Sequence, residues 1–205
     1  MSRAVFLDRD GVLNPLVYNC VTHAYESPHK PADFSLYTYT EKSLRILKEA
    51  GYYNLVVSNQ PSFAKGKTSL ENIREIEELL SVFSKEHGGL ITKAYYCYHH
   101  PMGVVPQYTC ICRCRKPGTL FLEQAAEEFG LDPCACWFVG DRDSDVACGR
   151  SFGCKTIKIN NPHSMYDTGT AKENRASAVT DTGGDGLADY YVENLLQAVE
   201  VIAGA

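Results

Sequence analysis

The 205-residue chain has no apolar stretch approaching the ~20 residues that a membrane span requires. Its opening run, MSRAVFLDRD, lacks the long apolar segment of a secretory signal. Nor does it carry a surplus of positive charge. Lys and Arg number 20 against 25 Asp and Glu, and the net charge of −5 argues against a general nucleic-acid or membrane surface. No internal repeat is present. These absences predict a cytoplasmic protein, monomeric by expectation, with neither nucleic acid nor membrane as partner, in which any anionic ligand is held by a local cluster of cations. With 44% hydrophobic residues the chain can build a core without disulfide staples, so its nine cysteines need another explanation. In the absence of a signal, metal binding and buried thiols are the readings to weigh.

Short β-type runs alternate with helical patterns almost from end to end. AVFLD, NLVVSNQ, LITKAYYCY, CWFVGD and KTIKI read as strands, with DYYVEN as a sixth. Between them lie helical patterns: TEKSLRILKEAGY, a run from Leu70 to Phe83 with Thr68 and Glu71 at capping-box spacing at its start, TLFLEQAAEEFG, SDVACGRSFG and finally LLQAVEVIA. The alternation predicts an α/β fold, a doubly wound, Rossmann-like parallel sheet with helices on both faces, as a single domain over 1–205. Segments 15–34 and 161–188 read as loops. In such sheets ligands sit beyond the carboxyl ends of the strands, which puts Asp8, Ser58 and Asp141 on one rim.

Asp8 and Asp10 are central to that rim. Two residues apart on an extended chain, they lie roughly 6 to 7 Å apart with side chains on the same side. One carboxylate can then attack a phosphorus while the other reaches the leaving oxygen. Gly11 lets the chain turn sharply away. The alternative is a polar strand end closed by an Asx turn.

A second cluster lies in CYHHPMGVVPQYTCICRCRKP. Cys97-x-His99, twelve residues, then Cys112-x-Cys114 supply three thiolates and an imidazole, the donor set of a closed tetrahedral zinc site. Cys110 makes the run C-x-C-x-C, so Cys110 with Cys112 is an alternative pair. His100 is not expected to be a ligand, though it can face a substrate. Cys20, Cys134, Cys136, Cys148 and Cys154 are expected to be small, mostly buried residues.

Taken in order, LDRDGVLN, VVSNQ, RKP and VGDRDSD resemble the four motifs of the haloacid dehalogenase superfamily of phosphohydrolases, over residues 4 to about 160. The resemblance implies magnesium-dependent phosphomonoester hydrolysis without a large cap domain. Under it Asp8 is the nucleophile, and Asp10 protonates the leaving alkoxide and then activates water. Magnesium is held by Asp8, the backbone carbonyl of Asp10, and Asp141. Ser58 and Asn59 face the phosphoryl group, and Lys116 neutralises the phospho-aspartyl intermediate. Asp145, four residues beyond Asp141, either orients the metal shell or is an acid at a helix N-terminus.

The spacing through the cysteine loop, 97–114, and into Arg115-Lys116-Pro117 resembles the heptose 1,7-bisphosphate phosphatase subgroup, near the histidinol-phosphate phosphatases, whose spacer is shorter. That resemblance favours Cys112 and Cys114 as the second ligand pair and a structural zinc that delivers Arg115 and Lys116 to the rim. NQPSFAKGK departs from the subgroup's N-Q-S-G-I-A-R-G at Pro61, Ser62 and Lys65, and the insert at about 15–34 is longer than the subgroup's substrate loop. Both departures fall where substrate is chosen. The implied partner is a small phosphorylated molecule, a sugar bisphosphate first and histidinol phosphate second. Outside this class stand a zinc-ribbon binding module, which needs more basic surface, and a receiver-type phospho-acceptor, which leaves Asp10 without a purpose.

Overall fold

Four consecutive residues, Ala4 to Leu7, are fully buried, and their side chains alternate between two cores. Val5 and Leu7 pack with Leu44, Leu47, Leu195 and Val199 on one face, while Ala4 and Phe6 pack with Leu122, Ala125 and Cys148 on the other. A strand buried on both faces belongs at the centre of a parallel sheet. The computed structural model describes residues 2–164 and 188–204 and has that strand there.

In chain order the elements are β1 (Ala4–Leu7), β2 (Val17–Asn19), β3 (Ala24–Glu26), α1 (Thr40–Glu49), β4 (Tyr53–Asn59), α2 (Leu70–Glu86), β5 (Lys93–Cys97), α3 (Leu120–Phe129), β6 (Trp137–Gly140), α4 (Asp143–Phe152), β7 (Lys155–Ile159), β8 (Tyr190–Val192) and α5 (Leu195–Ala203). Six strands form one parallel sheet in the order β5-β4-β1-β6-β7-β8. The chain runs outward from β1 through β4 and β5, then returns to lay β6 on the other flank of β1. The direction of winding therefore reverses at β1, the place where such sheets open a crevice at their carboxyl ends. Asp8, Ser58 and Asp141 stand at that end of three adjacent strands. The expected doubly wound sheet is what the chain forms, and no large cap occurs among the described residues.

Three details differ from the sequence reading. Residues 15–34 contain an antiparallel hairpin, β2 with β3, in which Tyr18 pairs with Tyr25 across the strands and their rings stand 5.3 Å apart. Each strand is only three residues long, too short to show an alternating pattern. At α2 the N-cap is Ser69, whose hydroxyl accepts the Asn72 N–H at 3.1 Å, because Thr68 instead donates its hydroxyl to the His29 carbonyl. Of the five scattered cysteines, Cys136, Cys148 and Cys154 are buried, whereas Cys20, in a turn, and Cys134, in a short 3-10 helix, are exposed. The loop expected at 161–188 lies, from 165 to 187, outside the described residues. Among those described, no helix is long and apolar enough to cross a membrane.

Helix α4 lies close on the sheet because position 149 has no side chain. A Cβ there would come within 2.6 Å of the Phe138 Cβ and 2.9 Å of the Thr156 Cγ2. Helix propensity favours Ala over Gly by about 1 kcal/mol, but overpacking a close contact costs about 1 to 3 kcal/mol. Contact outweighs propensity here. Gly149→Ala is therefore expected to lower the melting temperature by up to roughly 8 °C, measured by circular dichroism. An unchanged or raised melting temperature would contradict this packing.

Candidate active site

The turn after β1 is tight. The Arg9 carbonyl accepts the N–H groups of Val12, Leu13 and Asn14, and the Gly11 N–H donates to the Asn14 carbonyl at 2.7 Å. Gly11 has φ +84°, and a Cβ there would lie 2.0 Å from Asp141 Oδ2. A side chain at position 11 would thus displace the carboxylate delivered by β6.

Around this turn four carboxylates and two cations are drawn out of water: Asp8, Asp10, Asp141, Asp145, Arg9 and Lys116, none more than 6% exposed. Lys116 Nζ sits 3.0 Å from Asp8 Oδ1 and 2.8 Å from Asp145 Oδ1, and donates to the Val57 carbonyl at 2.8 Å. Burial alone would lower its proton affinity, but Asp145 and Asp8 raise it above the ordinary lysine value, so it stays an ammonium. The backbone of Lys116 is held by Asn59, whose Oδ1 accepts its N–H at 3.0 Å and whose Nδ2 donates to its carbonyl at 3.2 Å. Asp145 also caps α4, its Oδ2 accepting the Arg142 N–H at 3.0 Å. Asp145 is thus both a helix N-terminal acid and a partner of the buried ammonium.

Asp10 has a separate shell. Arg9 donates to it through Nε at 3.1 Å and Nη2 at 3.0 Å, Asn14 Nδ2 at 2.9 Å and Gln60 Nε2 at 2.6 Å. Burial pushes its pKa up, but Arg9 and the hydrogen bonds of Asn14, Gln60 and Ser27 outweigh that and hold it below the ordinary carboxylate range. Asp8 is shifted the other way. Burial raises it and Asp145 and Asp10 add to the rise, against the lowering by Lys116. Asp141 is pushed up to about 7 by burial and by Asp8. Its Oδ1 is buried with no hydrogen-bond partner among the described residues.

The ligand atoms of Asp8, Asp141 and Asp145 all lie within 4.8 Å of one another. Four carboxylates against two cations, an orphaned carboxylate oxygen and hard oxygen donors suit a divalent cation such as magnesium. The sequence reading brought Asp8, Asp10, Ser58, Asp141 and Lys116 to one rim, and they are together. It missed Arg9, Asn14 and Gln60. Gln60 was the most accessible of these, since it closes the VVSNQ motif and binds both Asp10 and Ser58.

Beside this rim opens a cleft of about 1310 Å³, with Lys65, Lys67, His100 and Arg115 on its walls and the hairpin on one side. At the end of β5 the Cys97, His99, Cys112 and Cys114 ligand atoms also lie within 4.8 Å of one another. The Cys97–Cys112, Cys97–Cys114 and Cys112–Cys114 sulfur separations are 3.7, 3.3 and 3.2 Å. With zinc–sulfur bonds of about 2.3 Å a tetrahedral edge is about 3.8 Å, so the four donors fit zinc with a slight expansion. Cys110 is exposed and stands outside the cluster.

Residues 113–196 match the family model described as HAD-hydrolase-like. The chain is 33% identical over 155 residues to a D-glycero-beta-D-manno-heptose-1,7-bisphosphate 7-phosphatase of Haemophilus ducreyi, covering 75% of this chain and 80% of that protein. To the Pasteurella multocida protein of the same name it is 30% identical over 204 residues, covering 100% and 98%. Its fold resembles that of a D,D-heptose 1,7-bisphosphate phosphatase from B. bronchiseptica solved with magnesium and phosphate, with a TM-score of 0.70 at 19% identity over 100% of this chain and 99% of that one. The motif order, the parallel sheet and relatives matching along the whole length agree: this chain belongs to the haloacid dehalogenase superfamily of phosphohydrolases, in the branch that includes the heptose-bisphosphate phosphatases.

Proposed function

We propose that the protein hydrolyses a phosphate monoester through a phosphoryl group carried on Asp8. The observation that carries this reading is the buried trio of Asp8, Lys116 and Asp145 beside Asp141, with Asp10 on a separate set of donors. Phosphate monoesters are among the slowest substrates to hydrolyse uncatalysed, so positioning alone is insufficient. In the first step Asp8 attacks phosphorus, the bond to the leaving oxygen breaks, and Asp10 gives that oxygen its proton. In the second, Asp10 takes a proton from water, the water oxygen attacks phosphorus, and Asp8 leaves as a carboxylate. The resting site holds Asp10 ionised, ready for the second step. An arriving phosphate monoester adds negative charge beside it and raises its proton affinity, so Asp10 takes up a proton from solvent as the substrate binds. It gives that proton to the leaving oxygen in the first step, regains one from water in the second and releases it when phosphate departs.

Asp8, the backbone carbonyl of Asp10, and Asp141 would hold magnesium, which supplies positive charge to the phosphoryl oxygens. Lys116 adds a fixed charge at Asp8. Ser58 lies against Asp8 as a phosphoryl donor, and Asn59 serves the phosphoryl group by holding Lys116 in place. Asp8→Asn is expected to fold and lose turnover, and Asp10→Asn to slow it by on the order of 10²- to 10⁴-fold. Full activity in purified Asp8→Asn protein would overturn the mechanism.

Cys97, His99, Cys112 and Cys114 are assigned a structural zinc, which would fix the loop that leads directly into Arg115 and Lys116. Metal analysis should find about one zinc per chain, lost in Cys114→Ser and kept in Cys110→Ser. Loss in Cys110→Ser with retention in Cys114→Ser would reverse the ligand assignment.

For the substrate we favour a phosphorylated sugar, heptose 1,7-bisphosphate first, cleaved at the 7-phosphate. Relatives with that printed activity match the full length, and the cleft beside the rim offers more cationic wall than one reacting phosphoryl group requires. A guanidinium such as Arg115 suits bidentate capture of a second phosphate. Arg115→Ala should therefore lower kcat/KM at least about tenfold more for the bisphosphate than for p-nitrophenyl phosphate. Equal losses would make Arg115 part of the reacting site, and a preference for histidinol phosphate over all sugar phosphates would overturn the substrate.

A further inference from the structure

The hairpin reaches the carboxylate delivered by β6 through a short chain of contacts. Tyr25, on the wall of the cleft, stacks on His163 with ring centroids 3.7 Å apart and planes 22° apart. His163 stands in the turn after β7, where its N–H donates to Asn161 Oδ1 at 3.0 Å and the Ser164 N–H donates to the Asn161 carbonyl at 3.1 Å. The Ser164 hydroxyl then donates to Asp141 Oδ2. Asp141 Oδ2 also leans over Gly11, and Asn161 Nδ2 lies 3.0 Å from where a Gly11 Cβ would stand. One oxygen of Asp141 is thus enclosed by this turn. The other, Oδ1, is buried and has no hydrogen-bond partner among the described residues, in the group formed with Asp8 and Asp145.

We propose that Ser164 is a positioning residue for Asp141, directing its Oδ1 toward the divalent cation, and that Tyr25 steadies Ser164 through the stack on His163. The inference rests on the reading of Asp141 as a magnesium ligand. A carboxylate with both oxygens free must give up rotational freedom when it binds a metal, whereas one held by a donor on its outer oxygen has already done so. The same hairpin residue touches the substrate cleft and braces the metal ligand. Substrate selection and cation affinity are therefore linked through one side chain. Glu26 and Lys67 pair beside it, so the hairpin has an anchor that does not depend on the stack.

The test is binding of Mn²⁺ to the metal-free rim of the full-length, zinc-loaded protein without substrate, with free Mn²⁺ counted by electron paramagnetic resonance. Ser164→Ala should weaken binding by about 10- to 100-fold, the usual effect of losing a donor behind a metal ligand. Ser164→Thr, which keeps the hydroxyl, should restore most of it. Tyr25→Ala should weaken binding about 2- to 10-fold, as expected for loss of one aromatic pair, and Tyr25→Phe should match the parent. The double variant Tyr25→Ala/Ser164→Ala should bind no more weakly than Ser164→Ala, because both changes act through one chain of contacts. Parent-like Mn²⁺ affinity in Ser164→Ala protein of unchanged circular dichroism would overturn the positioning role, and additive losses in the double variant would overturn the link to Tyr25. Asp141→Asn distinguishes the two levels: if that protein binds Mn²⁺ as the parent does, the reading of Asp141 as a ligand fails, and this inference with it.

Discussion

Four carboxylates and two cations are packed at the end of three strands, and much of the local structure serves that imbalance. Each buried charge costs several kcal/mol unless it is paired and hydrogen-bonded. Lys116 meets that need for Asp8 and Asp145, and Arg9 meets it for Asp10. For Asp141 the nearby Arg142 lowers the pKa, but burial and Asp8 outweigh it and push it up to about 7. The site is thus matched to a divalent cation and to the transient charge of a phosphoryl group. Its two cations differ in what they do. Lys116 touches Asp8, the carboxylate proposed to attack, whereas Arg9 pairs with Asp10, the carboxylate proposed to transfer the proton.

The surrounding features follow from the need to place those charges. Asn59 grips the backbone of Lys116 from β4, so the ammonium is set by the central sheet and not only by its own loop. Cys114 directly precedes Arg115 and Lys116, so a metal bound at the cysteine cluster would shorten the path between a rigid centre and the buried Lys116 ammonium. Gly11 gives up its side chain because Asp141 needs the space. On the opposite side of the cleft the hairpin supplies a wall anchored by Glu26 and Lys67. A phosphatase without a large cap is left with such loops to choose among phosphate esters.

Much of this was legible in the sequence because strand ends are chemically abrupt: an apolar run meeting Asp8, Ser58 or Asp141 marks a ligand rim once the sheet is parallel. The cysteine cluster was legible by spacing alone, and the geometry separates Cys114 from Cys110 as the sequence could not. Arg9 was illegible for a good reason. An arginine beside a strand end is ordinarily solvated, and nothing local signals that it is fully buried against Asp10. The hairpin was missed because three-residue strands carry no period, and Ser164 because its role depends on a turn that meets β6 only in three dimensions. Thr68 shows the same limit at α2, where a tertiary contact with His29 draws away the residue whose spacing suggested a cap.

The central claim is that a phosphoryl group passes through Asp8. Acid-quenching the enzyme during turnover and reducing it with borohydride converts an aspartyl phosphate to homoserine, which peptide mass spectrometry can locate. The account predicts homoserine at residue 8, dependent on both substrate and magnesium. Reduction at another carboxylate, or none at residue 8 while a pre-steady-state burst shows an accumulating intermediate, would contradict it.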